Sequence, residues 1–215
     1  EQSREKDIRA VRFAQWMERS ICNAATKVVV VSGPLRRIMR ESGVDRSQLV
    51  LIPNGVNLRH LQLNTRTADL RRKLNIEGKL VIGFVGWFKQ WHGLEFLIET
   101  FGRSGVAAAN GAVLVLIGDG PAMNSLKELV DQRNLCNDVI FTGPVPHEEI
   151  PHYLNLIDIA VQPAANEYCC PMKIIEYMGV GKAIIAPRQE NIEELLSEDA
   201  AILFKPGDSE SLSNA

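Results

Sequence analysis

An α/β fold built on a doubly wound parallel sheet is what three features of this 215-residue chain predict. From about residue 78 onward, short runs that are almost wholly apolar alternate with amphipathic segments of helical period. The apolar runs are continuous rather than every-other-residue, which marks strands buried on both faces. Glycine, proline and asparagine punctuate the joins between the two kinds of segment. A parallel sheet with helices on both sides is the layer arrangement that this order produces.

Residues 1–24 read as a helix, because Val11, Ala14, Met17 and Ile21 recur at helical spacing. Residues 27–32 read as a short buried strand. Ser32 then caps a helix over 34–41, with Pro34 in its first turn and Gly43 as its stop. Residues 49–52 form another strand, and Pro53-Asn-Gly-Val56 a tight turn. These first two strands are expected to belong to another sheet, most of which lies outside this chain. A connector follows over 57–78, with a helix from about 68 to 74. The regular alternation then places strands at 79–85, 112–117, 139–142, 159–162, 183–186 and 200–204. Between them come helices at 93–101, 121–133, 148–156, 172–178 and 192–196. The last stretch, 206–215, reads as a helix cut short. The domain reading is therefore 1–60, a connector at 61–77, the main sheet domain at 78–205, and the start of a helix at 206–215.

Composition narrows the function classes. The chain is 46% hydrophobic and 23% charged, an ordinary soluble balance. A net charge of −2 argues against a dedicated nucleic-acid binder. Basic residues concentrate early, at Arg4, Lys6, Arg9, Arg12, Arg19, Lys27, Arg36, Arg37, Arg40 and Arg46. A solvated helix face explains them most simply; peripheral contact with the inner face of a membrane is the functional alternative. Cys22, Cys136, Cys169 and Cys170 show no metal or redox spacing, which fits a reduced, cytoplasmic setting. No secretory leader and no apolar run of membrane-spanning length is visible. The chain opens on Glu1 without Met and reads as a fragment of a longer protein.

Chemistry concentrates in Gln162-Pro-Ala-Ala-Asn-Glu-Tyr-Cys-Cys-Pro-Met-Lys-Ile-Ile-Glu-Tyr-Met-Gly179, a strand end, a polar loop and a helix with one carboxylate. Ligands of such sheets bind beyond the carboxyl ends of the strands, where helix starts present N–H groups to phosphate. Glu176, inside that helix, is placed to meet the hydroxyls of a ribose, and the combination points to a nucleotide diphosphate. Glu176 and Lys173 lie three residues apart on one helix side, and a surface ion pair is the plain alternative. Ile174, Ile175 and Met178 are expected on the buried side.

Three further motifs end strands of the same sheet or follow its helix. Gly86-Trp-Phe-Lys-Gln-Trp-His-Gly93 lets backbone approach a ligand at Gly86 but is no dinucleotide fingerprint. Lys89 and His92 are candidates for diphosphate contact, or are solvated loop residues. Trp87 and Trp91 are a stacking wall or, more simply, core packing. Gly118-Asp-Gly-Pro121 reads first as a turn in which Asp119 caps a helix. Gly179-Val-Gly-Lys182 follows a helix and precedes a strand, the reverse of a phosphate loop, and reads as a helix stop. His147 and His152 have no metal partner set, and no metal is expected.

With these pieces in order, the chain resembles the retaining, two-domain (GT-B, Rossmann-like) glycosyltransferases of family 4, or group 1, over about residues 20–213. The resemblance rests on Val30-Val-Ser32, Ile52-Pro-Asn-Gly-Val56, Gly83-Phe-Val-Gly86 with Gly93, and Leu116-Ile-Gly-Asp-Gly-Pro121. It continues through Val139-Ile-Phe-Thr-Gly143, Ile157-Asp-Ile-Ala160, Glu176-Tyr-Met-Gly-Val-Gly-Lys182 and Asn191-Ile-Glu-Glu-Leu195. It implies that 78–205 binds a nucleotide-sugar donor as substrate, without a cofactor. It also implies that 1–60 is the end of an acceptor-side domain, and that the acceptor is a glycan, lipid or small molecule. Donor contacts are implied for Gly86, Trp87, Lys89, His92, Gly118, Gly143, Val145, Tyr168, Cys169, Cys170, Pro171, Met172, Lys173 and Glu176. The catalytic groups are expected mainly outside this chain, with Glu167 the candidate within it.

The chain departs from the family pattern at Tyr168, Trp87 and His92. Tyr168 stands where the first glutamate of the Glu-x7-Glu pair is usual, with Glu167 one residue away. Trp87 and His92 stand where Arg and Lys usually neutralise the diphosphate. Cys170-Pro-Met-Lys-Ile-Ile-Glu-Tyr-Met178 matches a subgroup pattern that has Ser in place of Cys. Lys173, with Lys89 or His92, is expected to restore the missing charge. A non-catalytic nucleotide-binding module and a sugar-nucleotide epimerase are the rival readings. A dehydrogenase lacks its glycine fingerprint.

Overall fold

A computed structural model describes residues 11–61 and 67–215. The first ten residues of the helix expected over 1–24, with Arg4, Lys6 and Arg9, and connector residues 62–66 lie outside the described residues. The chain divides into two units, one holding the residues up to Asn54 together with Glu167–Cys170, the other Gly55–Asn166 and Pro171–Ala215.

The first unit contains helix α1 (Val11–Ala24), strand β1 (Val28–Val30), helix α2 (Gly33–Glu41) and strand β2 (Leu49–Leu51). Strands β1 and β2 pair in parallel, Val28 opposite Leu49, as a separate two-stranded sheet. Ser32 caps α2, its Oγ accepting the Leu35 N–H at 3.1 Å, and Pro34 sits in the first turn where its missing N–H costs nothing. The burial expected for β1 is not there. Val30 alone is buried, while Val29 is 57% exposed, because a two-stranded pair has no layer to cover its outer face. Helix α1 likewise buries none of its residues, and Phe13 stacks on Trp16 at 5.9 Å.

The second unit is a six-stranded, all-parallel sheet in the order β5-β4-β3-β6-β7-β8. Its strands are β3 (Leu80–Val85), β4 (Ala112–Ile117), β5 (Val139–Phe141), β6 (Ile159–Val161), β7 (Ala183–Pro187) and β8 (Ile202–Phe204). Its helices are α3 (Leu58–Leu61), α4 (Thr67–Lys73), α5 (Leu94–Ser104), α6 (Val106–Asn110), α7 (Met123–Gln132), α8 (Ile150–Leu156), α9 (Met172–Gly179), α10 (Glu190–Glu193) and α11 (Ser209–Ser213). All six residues of β4 are buried, the signature of a central strand covered on both faces. Val113, Val115 and Ile117 join one core with Ile174, Tyr177 and Ile184; Leu114 and Leu116 join the other with Leu97, Ile98 and Leu126. Helices α3 and α6 were not anticipated, since each is a single short turn bounded by glycine or polar residues. Helix α10 begins two residues before its predicted start, where the Gln189 carbonyl accepts the N–H groups of Ile192 and Glu193.

At the amino ends of the strands, Arg71 on α4 donates to both Asp158 carboxylate oxygens at 3.0 and 2.9 Å and to the Lys79 carbonyl at 2.8 Å. Asp158 in turn accepts the Val81 N–H at 2.8 Å. This bracket ties helix α4 to β3 and β6 and leaves the opposite, carboxyl ends to the loops.

Candidate functional site

Chain order turns around between two neighbouring strands. From β3 the sheet grows outward to β4 and β5; from β6 it grows the other way to β7 and β8, while β3 and β6 pair directly through Ile82 and Ile159. A crevice opens at such a switch point, outside the carboxyl ends of the two strands, because their following loops diverge to opposite faces. Here the two elements that stand at that point are the loop that starts at Gly86 and the start of α9.

One wall is three loops packed backbone against backbone. The Gly86 N–H donates to Ile117 at 2.9 Å, and a side chain at Gly118 would collide with the Gly86 carbonyl. The Gly118 N–H donates to Thr142 Oγ1 at 3.2 Å, and Gly118 bridges Gly143. Phe88 donates to the Asp119 carbonyl at 2.6 Å and accepts from Ala122 at 3.2 Å. Asp119 does not cap a helix, contrary to expectation. Its carboxylate accepts the Gly120 N–H at 2.7 Å, Pro121 and Ala122 form a turn, and α7 starts only at Met123. Half-buried Val145 follows Gly143 on this side.

The other wall is α9, whose N-cap is Pro171. Its aim is fixed from below by Tyr177, fully buried, whose hydroxyl accepts the Val85 N–H at 3.1 Å. Burial pushes the Tyr177 phenol far above its ordinary value, so it stays neutral in that role. Tyr177 and Ile174 form the inner face; Met178, expected there, is 46% exposed, because the face toward the sheet is centred on the 174–177 pair. The Lys173 chain lies across Gly86, whose φ of +151° and lack of a Cβ leave room for it. Its Nζ reaches His92 Nε2 at 3.2 Å and sits 5.3 Å from the Phe84 ring centre.

His92 is partly buried against Phe84, with ring centres 5.4 Å apart. Its pKa falls from 6.5 to about 4, first through burial and then through the Lys173 and Lys89 charges, with a hydrogen bond to the Trp87 backbone opposing. Glu176, also on α9, has its pKa raised by burial, which Lys173 and His147 partly offset. Lys89 Nζ lies 5.3 Å over the Trp91 ring. The two tryptophans are not core, as expected, but surface: Trp87 is 56% and Trp91 46% exposed, since Phe84 and Phe88 already fill the space below.

Sequence reasoning missed a set of amides behind the crevice. Gln162 at the end of β6, Gln189 after β7 and Asn191 on α10 donate to the carbonyls of Ala164, Ala165 and Asn166 in turn, the last two at 3.3 and 3.0 Å. Three successive carbonyls of the loop before Glu167 are thus held by three side chains. Asn191 was visible within a family motif; the two glutamines carry no spacing signal. Structure thus brings together Gly86, His92 and Lys173, with Gly118 and Gly143 beside them. Pro171, Met172 and Glu176 lie along α9, while Trp87 and Lys89 lie on the loop's outer side. Glu167, Tyr168, Cys169 and Cys170 group with the first unit, where Ser32 Oγ donates to the Tyr168 carbonyl at 2.6 Å and Asn54 to the Cys170 carbonyl at 3.4 Å. Among the described residues, no group of three or more His, Cys, Asp or Glu is arranged to hold a metal ion.

Comparison with known proteins places this architecture. The family model described as "Glycosyl transferases group 1" matches residues 79–215, and the one described as "Glycosyltransferase Family 4" matches 4–60. The chain belongs to the group 1 glycosyl transferases. It is 24% identical over 197 residues to an alpha-D-kanosaminyltransferase of Streptomyces kanamyceticus, covering 90% of this chain and 50% of that protein. It is 31% identical over 145 residues to a GDP-mannose-dependent alpha-mannosyltransferase of Corynebacterium glutamicum, covering 67% and 32%. The fold matches Anabaena Alr3699/HepE, solved with UDP and glucose, at a TM-score of 0.83 and 21% identity, covering 93% of this chain and 55% of that one. The chain thus spans half or less of the length of these curated relatives. Among the described residues, no helix is long and apolar enough to cross a membrane.

Proposed function

We propose that the protein transfers a sugar from a nucleoside-diphosphate sugar to an acceptor hydroxyl with retention at the anomeric carbon, and that the crevice between Gly86 and α9 holds the donor. The observation that carries this reading is Lys173, laid across Gly86 at the switch point beside His92, with Glu176 further along the same helix. Glycosyl transfer builds positive charge on the sugar and negative charge on the departing diphosphate. The first N–H groups of α9 and the Lys173 ammonium are preorganised donors for that negative charge. Glu176, half-buried and with its pKa raised, gains from any hydroxyl that donates to it, as the two hydroxyls of a ribose do. The backbone around Gly118, Gly143 and Val145 is assigned to the base, and Tyr168, Cys169, Cys170, Pro171 and Met172 to the diphosphate at the helix start. Glu167, exposed on its loop, is the in-chain candidate for a catalytic role.

Residues 1–60 are assigned to the acceptor side and 78–205 to the donor side; the separate matches of the two family models to 4–60 and 79–215 support that division. The GDP-mannose named for one relative and the UDP and glucose bound to a solved structure of like fold support a nucleotide sugar without choosing the base. The exposed Phe13, Trp16, Met17 and Ile21 beside Arg12 and Arg19 fit a helix that rests on an anionic membrane surface. One observation favours a non-catalytic nucleotide-binding role: His92 is held neutral at a position where the family pattern has a permanent cation. Donor hydrolysis separates the two readings.

The test is a thermal-shift panel with UDP, GDP, ADP and NAD. A ligand present at about 100 times its dissociation constant stabilises the folded state by roughly 2.7 kcal/mol. A shift with one diphosphate and none with NAD is expected. A shift with NAD alone would overturn the reading.

A further inference from the structure

We infer that His92 and Lys173 hold the diphosphate of the donor as a proton-coupled pair, His92 taking up one proton from solvent as the nucleotide sugar binds. The inference rests on the donor reading above and goes beyond it. Without ligand, the two nitrogens are 3.2 Å apart, and a neutral ring accepts from the ammonium through Nε2. The pair then carries one positive charge, not two, and the repulsion of two adjacent cations in a half-buried crevice is avoided. Neither group has an easy retreat. The lysine chain is threaded over Gly86, and the imidazole is packed on Phe84 and donates to the Trp87 backbone, which leaves Nε2 as the acceptor.

A diphosphate changes that balance. It brings two negative charges toward Lys173, the ammonium turns to the phosphate oxygens, and the lone pair left on Nε2 faces anionic oxygen. Protonating it converts a repulsive contact into a charge-assisted hydrogen bond. One N–H bond forms on His92, the proton comes from buffer, and no bond of the ligand breaks.

The groups that face the ring favour a large response. From α9 comes Lys173, and from its own loop Lys89, both cationic. The loop packed on Gly93 contributes Pro163 and Ala164, neither of which titrates. Asp119 in the adjoining loop is engaged by its own Gly120 N–H. Glu176, on the same helix as Lys173, interacts with that lysine but is not among the groups that shift the ring, so the anionic ligand would supply the counter-charge that the ring itself lacks. The pKa of about 4 in the free protein leaves a wide window for an upward shift.

Calorimetric titration with UDP-glucose and with GDP-mannose, at about pH 6 in buffers of different ionisation enthalpy, counts the protons. These diphosphate diesters do not titrate near that pH, so any uptake belongs to the protein. A large fraction of one proton per ligand is expected, with affinity rising about tenfold from near pH 7.5 to near pH 5.5, since one unit of pKa shift is tenfold in binding. His92→Gln should bind with a flat pH profile and no uptake. In the free protein, Lys173→Met should move the His92 ring titration, followed by NMR, back toward 6.5. Zero uptake in the unaltered protein overturns the inference, as does uptake that survives His92→Gln or a ring titration indifferent to Lys173→Met. Failure of both nucleotide sugars to bind at any pH sinks the donor reading and this inference with it, a result distinct from binding without a proton.

Discussion

The Tyr177 hydroxyl takes the N–H of Val85, a residue at the last position of β3, and so sets where α9 begins relative to Gly86. Tyr177→Phe leaves that buried N–H without a partner, at a cost of about 1–3 kcal/mol. Urea unfolding should show the loss, and donor affinity should fall with it because the helix start is no longer held. At Gly86 the argument is steric. Gly86→Ala puts a methyl into the Lys173 chain at a φ favoured only by glycine, at roughly 1–3 kcal/mol of strain. Diphosphate affinity should drop at least tenfold while the fold survives, read by calorimetry beside circular dichroism. His92 also leaves a pH signature on stability. Its folded-state pKa is depressed, so the unfolded chain binds the proton first as pH falls. Its contribution is therefore intact above 6.5 and is lost progressively down to about 4. Glu176 acts with the opposite sign, its raised pKa making acid conditions relatively favourable. A denaturation series across that window in the unaltered protein and in His92→Gln isolates the histidine part.

At the scale of elements, α9 and the loop before it divide the labour. The helix brings charge to the crevice; the loop over 163–166 is immobilised by amides from three separate places in the sequence. Gln189→Ala together with Asn191→Ala should free this loop, with some loss of stability because Asn191 is buried. Amide exchange there should quicken, and donor affinity should weaken by a few-fold without a change in the pH profile. That set shows why the site was only partly legible. Gly86, Lys173 and Glu176 announce themselves, because glycine at a strand end and charge at a helix start are local signals. Tyr177 and Gln189 act through partners distant in sequence, in β3 and in the loop after β6, and Gln162 through a carbonyl two residues on that no motif marks. Trp87 and Trp91 misled for a related reason: aromatic character suggests burial, but whether space exists below depends on Phe84 and Phe88.

For the whole molecule, the six-stranded parallel sheet was readable because buried parallel strands leave near-continuous apolar runs, whereas the β1–β2 pair showed such runs without the burial. Strand order was not, since it depends on which edge each crossover takes; yet that order puts β3 beside β6 and so creates the crevice. The short helices α3 and α6 fell below what periodicity can detect. Where the loops meet, the strand ends have a further consequence, for variation rather than for binding. Gly118 and Gly120 are half-exposed, and by accessibility alone they should tolerate almost any replacement. Their missing side-chain space is occupied by backbone, the Gly86 carbonyl in one case and the Phe88 peptide in the other, and backbone cannot swing aside as a side chain does. In a saturation mutagenesis survey scored for folding, these two surface positions should therefore be as intolerant as Leu114 or Ile117. Even alanine should cost about 1–3 kcal/mol there, and the map of tolerance should part company with the map of solvent access.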